Sequence, residues 1–128
     1  MDNRLQLLLE KYADKFEPGW PASFDVDSGW YDILKELFDN LEPFLNWDIV
    51  KICQVKEKFG GLRVYVDFHG DIDAEDVKQI HDMIDDAESK SLHTCESCGA
   101  IGEVRTIGWI KTLCDDCHND RENSKVKI

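Results

Sequence analysis

The chain has 128 residues, 42% of them hydrophobic and 33% charged, and a net charge of −12. That length and apolar content fit one ordinary folded domain, or one with a small appendage, and exclude a disordered or low-complexity polymer. The charge opposes general binding to a phosphate backbone, and with no run of about 18 apolar residues nothing is expected to span a membrane.

The opening "MDNRLQLLLEKYADKF" has too short an apolar run and too many early acids for a signal peptide. A cytoplasmic location is the expectation, where thiols stay reduced, and five cysteines there point to metal rather than disulfides. The charge is unevenly placed. Residues 1–92 carry 21 acids and 10 bases, a net of −11, whereas residues 93–128 carry 6 and 5, a net of −1. This divides the chain into an acidic α+β domain, 1–92, and a C-terminal segment, 93–128, docked on it.

In chain order, Leu5, Leu8, Leu9, Tyr12 and Phe16 recur at helical spacing and predict an amphipathic helix over residues 4–16. "PGWPASFDVDSG" breaks it, and its aromatics Trp20 and Phe24 are expected to fold back over the core. Asp27 or Ser28 then caps a second helix with the stripe Trp30, Ile33, Leu34, Leu37, Phe38 and Leu41, and Pro43 is expected to follow its end.

"DIVKICQVKEKFGGLRVYVDFHG" predicts a β-hairpin. Leu62, Val64, Val66 and Phe68 alternate with Arg63, Tyr65, Asp67 and His69, and Gly60 with Gly61 supplies the turn. A third helix spans about residues 74–91, with Asp73 and Asp76 resembling a capping box and Val77, Ile80, Ile84 and Ala87 facing inward. The predicted fold is α+β: three helices packed on a small antiparallel sheet with a C-terminal zinc ribbon.

The ribbon is read from Cys95, Cys98, Cys114 and Cys117, which follow C-x2-C-x15-C-x2-C. Two cysteines three apart on a tight turn can place both sulfurs on one ion, and Gly99 lets the first turn close. "EVRTIGWIKTL", broken at Gly108, reads as a short hairpin between the two pairs. Four thiolates suit zinc and leave no position for water, so the cofactor is zinc in a structural role, with iron as the lesser alternative. His93 and His118 flank the site and either could replace a cysteine. Arg105, Lys111, Arg121, Lys125 and Lys127 are offset by six acids, which argues against a general duplex-binding ribbon.

Gly29-Trp30, "QVKEKFGGLR" at 54–63 with its alternating strand, "TCESCG" at 94–99, and Gly108-Trp109 through Cys114 carry a resemblance. Over residues 28–118 the chain resembles small uncharacterised bacterial and phage proteins with this hairpin and a four-cysteine ribbon. The resemblance implies no activity and no catalytic residues. A phage origin would imply a host-interaction or anti-defence role.

The hairpin tip is the one basic spot in the acidic half. Lys51, Lys56, Lys58 and Arg63 surround it, with Phe59 at the turn and Tyr65 nearby. Lys56, Lys58, Phe59 and Arg63 are the candidate partner-binding residues, set against the plainer reading of charges guarding an edge strand. His81 and Asp85, four apart on a helix, are read as a solvated face rather than a metal or acid–base pair. Cys53 has no partner thiol and is read as a small buried hydrophobe. No phosphate loop, dinucleotide fingerprint, H-E-x-x-H or G-x-S-x-G occurs, so an enzyme is not favoured. The sequence thus points to a cytoplasmic zinc-stabilised binding protein acting on a protein partner, with no non-specific binding to duplex DNA. A nucleic-acid-binding zinc ribbon is the alternative, and a small enzyme using histidines the second.

Overall fold

The computed structural model describes residues 3–126, with side chains as far as Glu122. Its architecture is α+β. Helix α1 spans Asn3–Tyr12, α2 Tyr31–Asn46, α3 Ala74–Ser91 and α4 Asp115–Val126. Strands β1 (Phe24–Asp25), β2 (Val50–Lys58) and β3 (Gly61–Phe68) form one sheet; β4 (Glu103–Arg105) and β5 (Lys111–Leu113) form a second. β2 and β3 are antiparallel, but β1 pairs with β2 in parallel, so the main sheet is mixed rather than wholly antiparallel. No helix among the described residues is long and apolar enough to cross a membrane.

One core unites α1, α2, α3 and the inner face of the sheet, and Trp30, Leu34, Phe38, Leu41, Ile52, Val55 and Leu62 lie within it without solvent contact. α1 ends at Tyr12, earlier than the periodicity suggests, because residues 13–15 tighten into a 3₁₀ turn and Phe16 leaves the helix for a bridge to Ile52. α2 runs through Pro43 instead of stopping before it. Proline there removes one helical hydrogen bond, but Phe44 and Leu45 are buried and hold the last turn. Neither Asp27 nor Ser28 caps α2 with its side chain. On α3 only Asp73 caps, accepting from the Glu75 N–H at 3.0 Å, and no reciprocal bond from Asp76 closes a box. Phe24 folds back over the core as expected, whereas Trp20 stays half exposed.

The hairpin register contains the decisive irregularity. Ile52 faces Val66, yet Gln54 faces Tyr65, so Cys53 is an extra residue in β2. A bulge of one residue reverses which side chains face the core. Before it, Val50 and Ile52 point inward; after it, Val55 does, and Lys56 and Lys58 fall on the helix-free side. The register closes with Lys58 opposite Gly61, so the turn consists of Phe59 and Gly60 and not of the two glycines. Both turn residues have positive φ, 54° and 85°, as a two-residue primed turn requires.

The free edge of β3 is covered by α3. The Leu62 N–H donates to Ser91 Oγ at 2.9 Å and the Val64 N–H to Glu88 Oε2 at 3.0 Å. On the far side of β2, Phe24–Asp25 and the Phe16–Glu17 segment take the remaining positions.

Candidate metal centre

Cys95 and Cys98 sit on a tight turn ahead of β4. The Gly99 N–H donates to the Cys95 carbonyl at 2.9 Å, and Gly99 adopts φ 86°, which a side chain would resist. The first pair thus forms a tight-turn knuckle and the second does not: Cys114 immediately precedes α4 and Cys117 lies in its first turn. The Cys117 N–H points at Cys114 Sγ, 3.4 Å away. This fourth helix is an addition to the three the sequence predicts. It is polar on every side, so no apolar period announces it, although Asp115 and Asp116 in its first turn are an N-terminal signal that was there to read.

The four sulfurs lie within 4.8 Å of one another, and neither His93 nor His118 belongs to the group. Cys98 Sγ and Cys114 Sγ are 3.6 Å apart. Sulfurs bonded at about 2.3 Å to a shared tetrahedral ion stand roughly 3.8 Å apart, and a disulfide would require about 2.05 Å. Burial opposes the Cys95 thiolate, but backbone N–H groups of Cys114, Cys98 and Ser97 outweigh it and bring the thiol down to about 7. The neighbouring sulfurs, that of Cys114 foremost, push the Cys117 thiol well up. Four thiols so crowded cannot all ionise without a cation among them, and a dipositive ion supplies that charge. The donor set therefore fits a metal ion.

The ribbon is joined to the body by buried polar ties. The Gly29 N–H donates to the Glu96 carbonyl at 2.7 Å, Trp30 Nε1 to the Thr94 carbonyl at 2.9 Å, and the Asp27 N–H to Glu96 Oε2 at 3.1 Å. At the hairpin tip, Thr112 Oγ1 donates to the Gly60 carbonyl at 2.6 Å. The ribbon's cations are used locally: Arg105 meets Asp115 at 2.7 Å and Glu103 at 3.0 Å, and Lys111 meets Asp27 at 3.4 Å. Arg121 donates to the carbonyls of Trp109 and Ile107, fixing the loop between β4 and β5. The Lys125 side chain and Lys127 lie outside the described residues.

The candidate partner residues are distributed over two places. Lys56 and Arg63 face each other on the helix-free side of the sheet, with Lys56 Nζ 5.9 Å from the Tyr65 ring centre. Lys58 and Phe59 are at the tip, and Phe59 is 67% exposed despite its size. Across from it stands Trp109, 75% exposed, in the segment that reads as a hairpin broken at Gly108. Phe59, Trp109, Gly108 and Ile110 line a largely apolar cleft of about 360 Å³.

Of the remaining candidates, His81 stacks edge-on against Phe68 at 5.5 Å and gathers no ligand set. Cys53 is half buried at the bulge; burial first, then Asp67 and Glu17, raises its thiol, the opposite of what a nucleophile needs. Glu17, Asp67 and His69 come together within 4.8 Å, a group the sequence did not suggest because Glu17 is fifty residues away from the other two. His69 Nε2 is 2.6 Å from Glu17 Oε2, and this hydrogen bond, ahead of the charges of Glu17 and Asp67, raises the imidazole above its ordinary value. The pair stabilises the fold below the unfolded histidine value of about 6.5 and loses that contribution as pH climbs through the raised one. NMR titration of Glu17→Gln is expected to bring the His69 midpoint down; an unchanged midpoint would break the pairing.

Fold and site together define a small α+β protein with a four-cysteine group able to hold a metal ion. No family model matches the chain, and neither a curated protein nor a solved structure matches it at a significant level.

Proposed function

We propose that this chain is a zinc-stabilised protein-binding module, working in the cytoplasm, whose contact surface is the hairpin tip joined to the β4–β5 loop. The division into an acidic body, 1–92, and a ribbon, 93–128, belongs to this reading. Cys95, Cys98, Cys114 and Cys117 would hold one zinc ion, which supplies folding energy to a ribbon with little apolar core of its own. The body presents Phe59, and the ribbon presents Trp109. Were the chain phage-encoded, as the resemblance implies, the partner would be a host protein.

The observation that carries this reading is Phe59. A large apolar residue at positive φ costs on the order of 1 kcal/mol or more in backbone strain, and here it stands at φ 54° and largely in solvent. Asparagine would suit that position better. At 67% exposure the side chain gains little burial in the free protein to offset its strain, but it forms one wall of an apolar cleft. Exposed aromatics framing a cleft are anchors that partners fill.

Phe59→Asn is therefore expected to raise thermal stability, by about 1 kcal/mol, while speeding dissociation from the native partner by roughly tenfold or more. Partner identification by capture from the native host, compared among the unaltered chain, Phe59→Asn and Trp109→Ala, is the test. Undiminished capture by both variants would place the binding surface elsewhere.

A further inference from the structure

A second cleft, about 590 Å³, adjoins the first. Glu57 lines both, and consecutive residues Ile110 and Lys111 line one each. Its polar walls carry the carboxylates of Asp25, Asp27, Glu57 and Glu96 against the single ammonium of Lys111. Two of these acids have structural work: Glu57 accepts the Gly60 N–H, and Glu96 accepts the Asp27 N–H through Oε2.

Glu96 Oε1 is different. The Glu96 side chain is only 4% exposed, yet among the described residues no donor bonds to Oε1. Its nearest cation is Lys111 Nζ at 4.0 Å, beyond hydrogen-bond reach, and that ammonium stands closer to Asp27. A buried carboxylate oxygen left unsatisfied is costly, and a donor that enters the cleft and turns the Lys111 side chain aside to reach Oε1 removes that cost. A single metal ion does not suit the site. Among the described residues, no three of these carboxylates converge as the four sulfurs do. The volume suits a side chain, and a guanidinium brings five donors and sheds its water readily.

We infer that the acidic cleft receives an arginine or lysine side chain of the partner, whose neighbouring apolar residue fills the cleft between Phe59 and Trp109. The inference rests on the hairpin tip being the contact surface and adds the chemistry of what binds there: an apolar residue flanked by basic ones. The acidic charge of the body draws such a segment in, the apolar cleft anchors it, and Glu96 selects the cation.

The probes are three symmetrical tripeptides, acetylated and amidated: Arg-Leu-Arg, Glu-Leu-Glu and Arg-Gly-Arg. Each is titrated into the full metal-loaded chain and followed by amide NMR shifts. Arg-Leu-Arg is expected to bind at least tenfold tighter than either of the others, with shifts confined to Asp27, Glu57, Glu96, Phe59 and Trp109 and their neighbours. Glu96→Gln keeps an oxygen for the Asp27 N–H and removes the charge, and should abolish most of the preference for Arg-Leu-Arg over Glu-Leu-Glu. Spermidine, a free polyamine, should not displace the peptide at equal concentration. Equal affinity for Arg-Leu-Arg and Glu-Leu-Glu, equal affinity for Arg-Leu-Arg and Arg-Gly-Arg, displacement by spermidine, or shifts spread along the acids of α3 would each overturn the inference. None of these outcomes alters partner capture by Phe59→Asn and Trp109→Ala, so the hairpin-tip reading stands or falls separately.

Discussion

Cys114→Ser is expected to take the protein from about one bound zinc per chain to none, and with it to unfold the ribbon. Structural zinc sites contribute on the order of 10 kcal/mol of binding free energy, and that energy is folding energy where little core exists. Among the described residues of the ribbon, only Leu113 joins Cys95 and Cys114 in the buried apolar cluster, with Cys117 packed against it. Hydrogen exchange should therefore show the amides of β4, β5 and α4 losing protection, while α2 and the β2–β3 hairpin, which belong to the main core, keep theirs. Acidification should release the metal from the unaltered chain, because protons compete for the thiolates. Cys53→Ser should change neither metal content nor ribbon protection, since Cys53 lies outside the sulfur group. Metal-free protein with four reactive thiols and an intact ribbon would refute the assignment.

Gly29→Ala is the second large effect. A Cβ at this position would stand 2.2 Å from the Cys95 carbonyl oxygen and 2.3 Å from that of Glu96. Both are backbone atoms, so one of the two segments must move. The displacement would strain the Gly29–Glu96 hydrogen bond and the neighbouring bonds of Asp27 and Trp30 to the knuckle. A loss of about 3 kcal/mol is expected, lowering the melting midpoint on the order of 10 °C. Zinc should remain bound, because the substitution touches no sulfur. Calorimetry with metal analysis on the same sample separates the two effects, and an unchanged midpoint would show that the loop and the knuckle do not meet closely.

These two substitutions also mark what a sequence reader could and could not see. The paired cysteines were legible because metal geometry restricts their spacing, and the structure brings the four sulfurs together. The inner stripe of α2 and the alternation of β3 were legible because burial on one face imposes a period. Gly29 was visible as part of a motif, but its reason was not: the close approach involves Cys95 and Glu96, 66 and 67 positions further along. The Cys53 bulge left a trace in the apolar order, Val50, Ile52, then Val55, a break in strict alternation. That break shifts the register by one residue, so that the turn is the pair Phe59–Gly60. Trp109 lies in the segment that reads as a short hairpin broken at Gly108, and only the folded chain shows it standing in solvent beside Phe59. Pro43 misled for a related reason: local propensity ends a helix there, and burial of the residues after it carries the helix on.

A sheet whose outermost strand already has its N–H groups taken cannot serve as a template. Ser91 and Glu88 occupy the outward N–H groups of Leu62 and Val64, at the turn end of β3. Recognition by strand addition, a common route for small β-containing adaptors, is thus blocked along that stretch of the edge, and so is edge-to-edge stacking there. Removing both acceptors, with Ser91→Ala and Glu88→Ala together, would leave two backbone donors bare on an otherwise intact hairpin. Along that stretch of edge, only the negative charge of the chain would then oppose pairing with another copy.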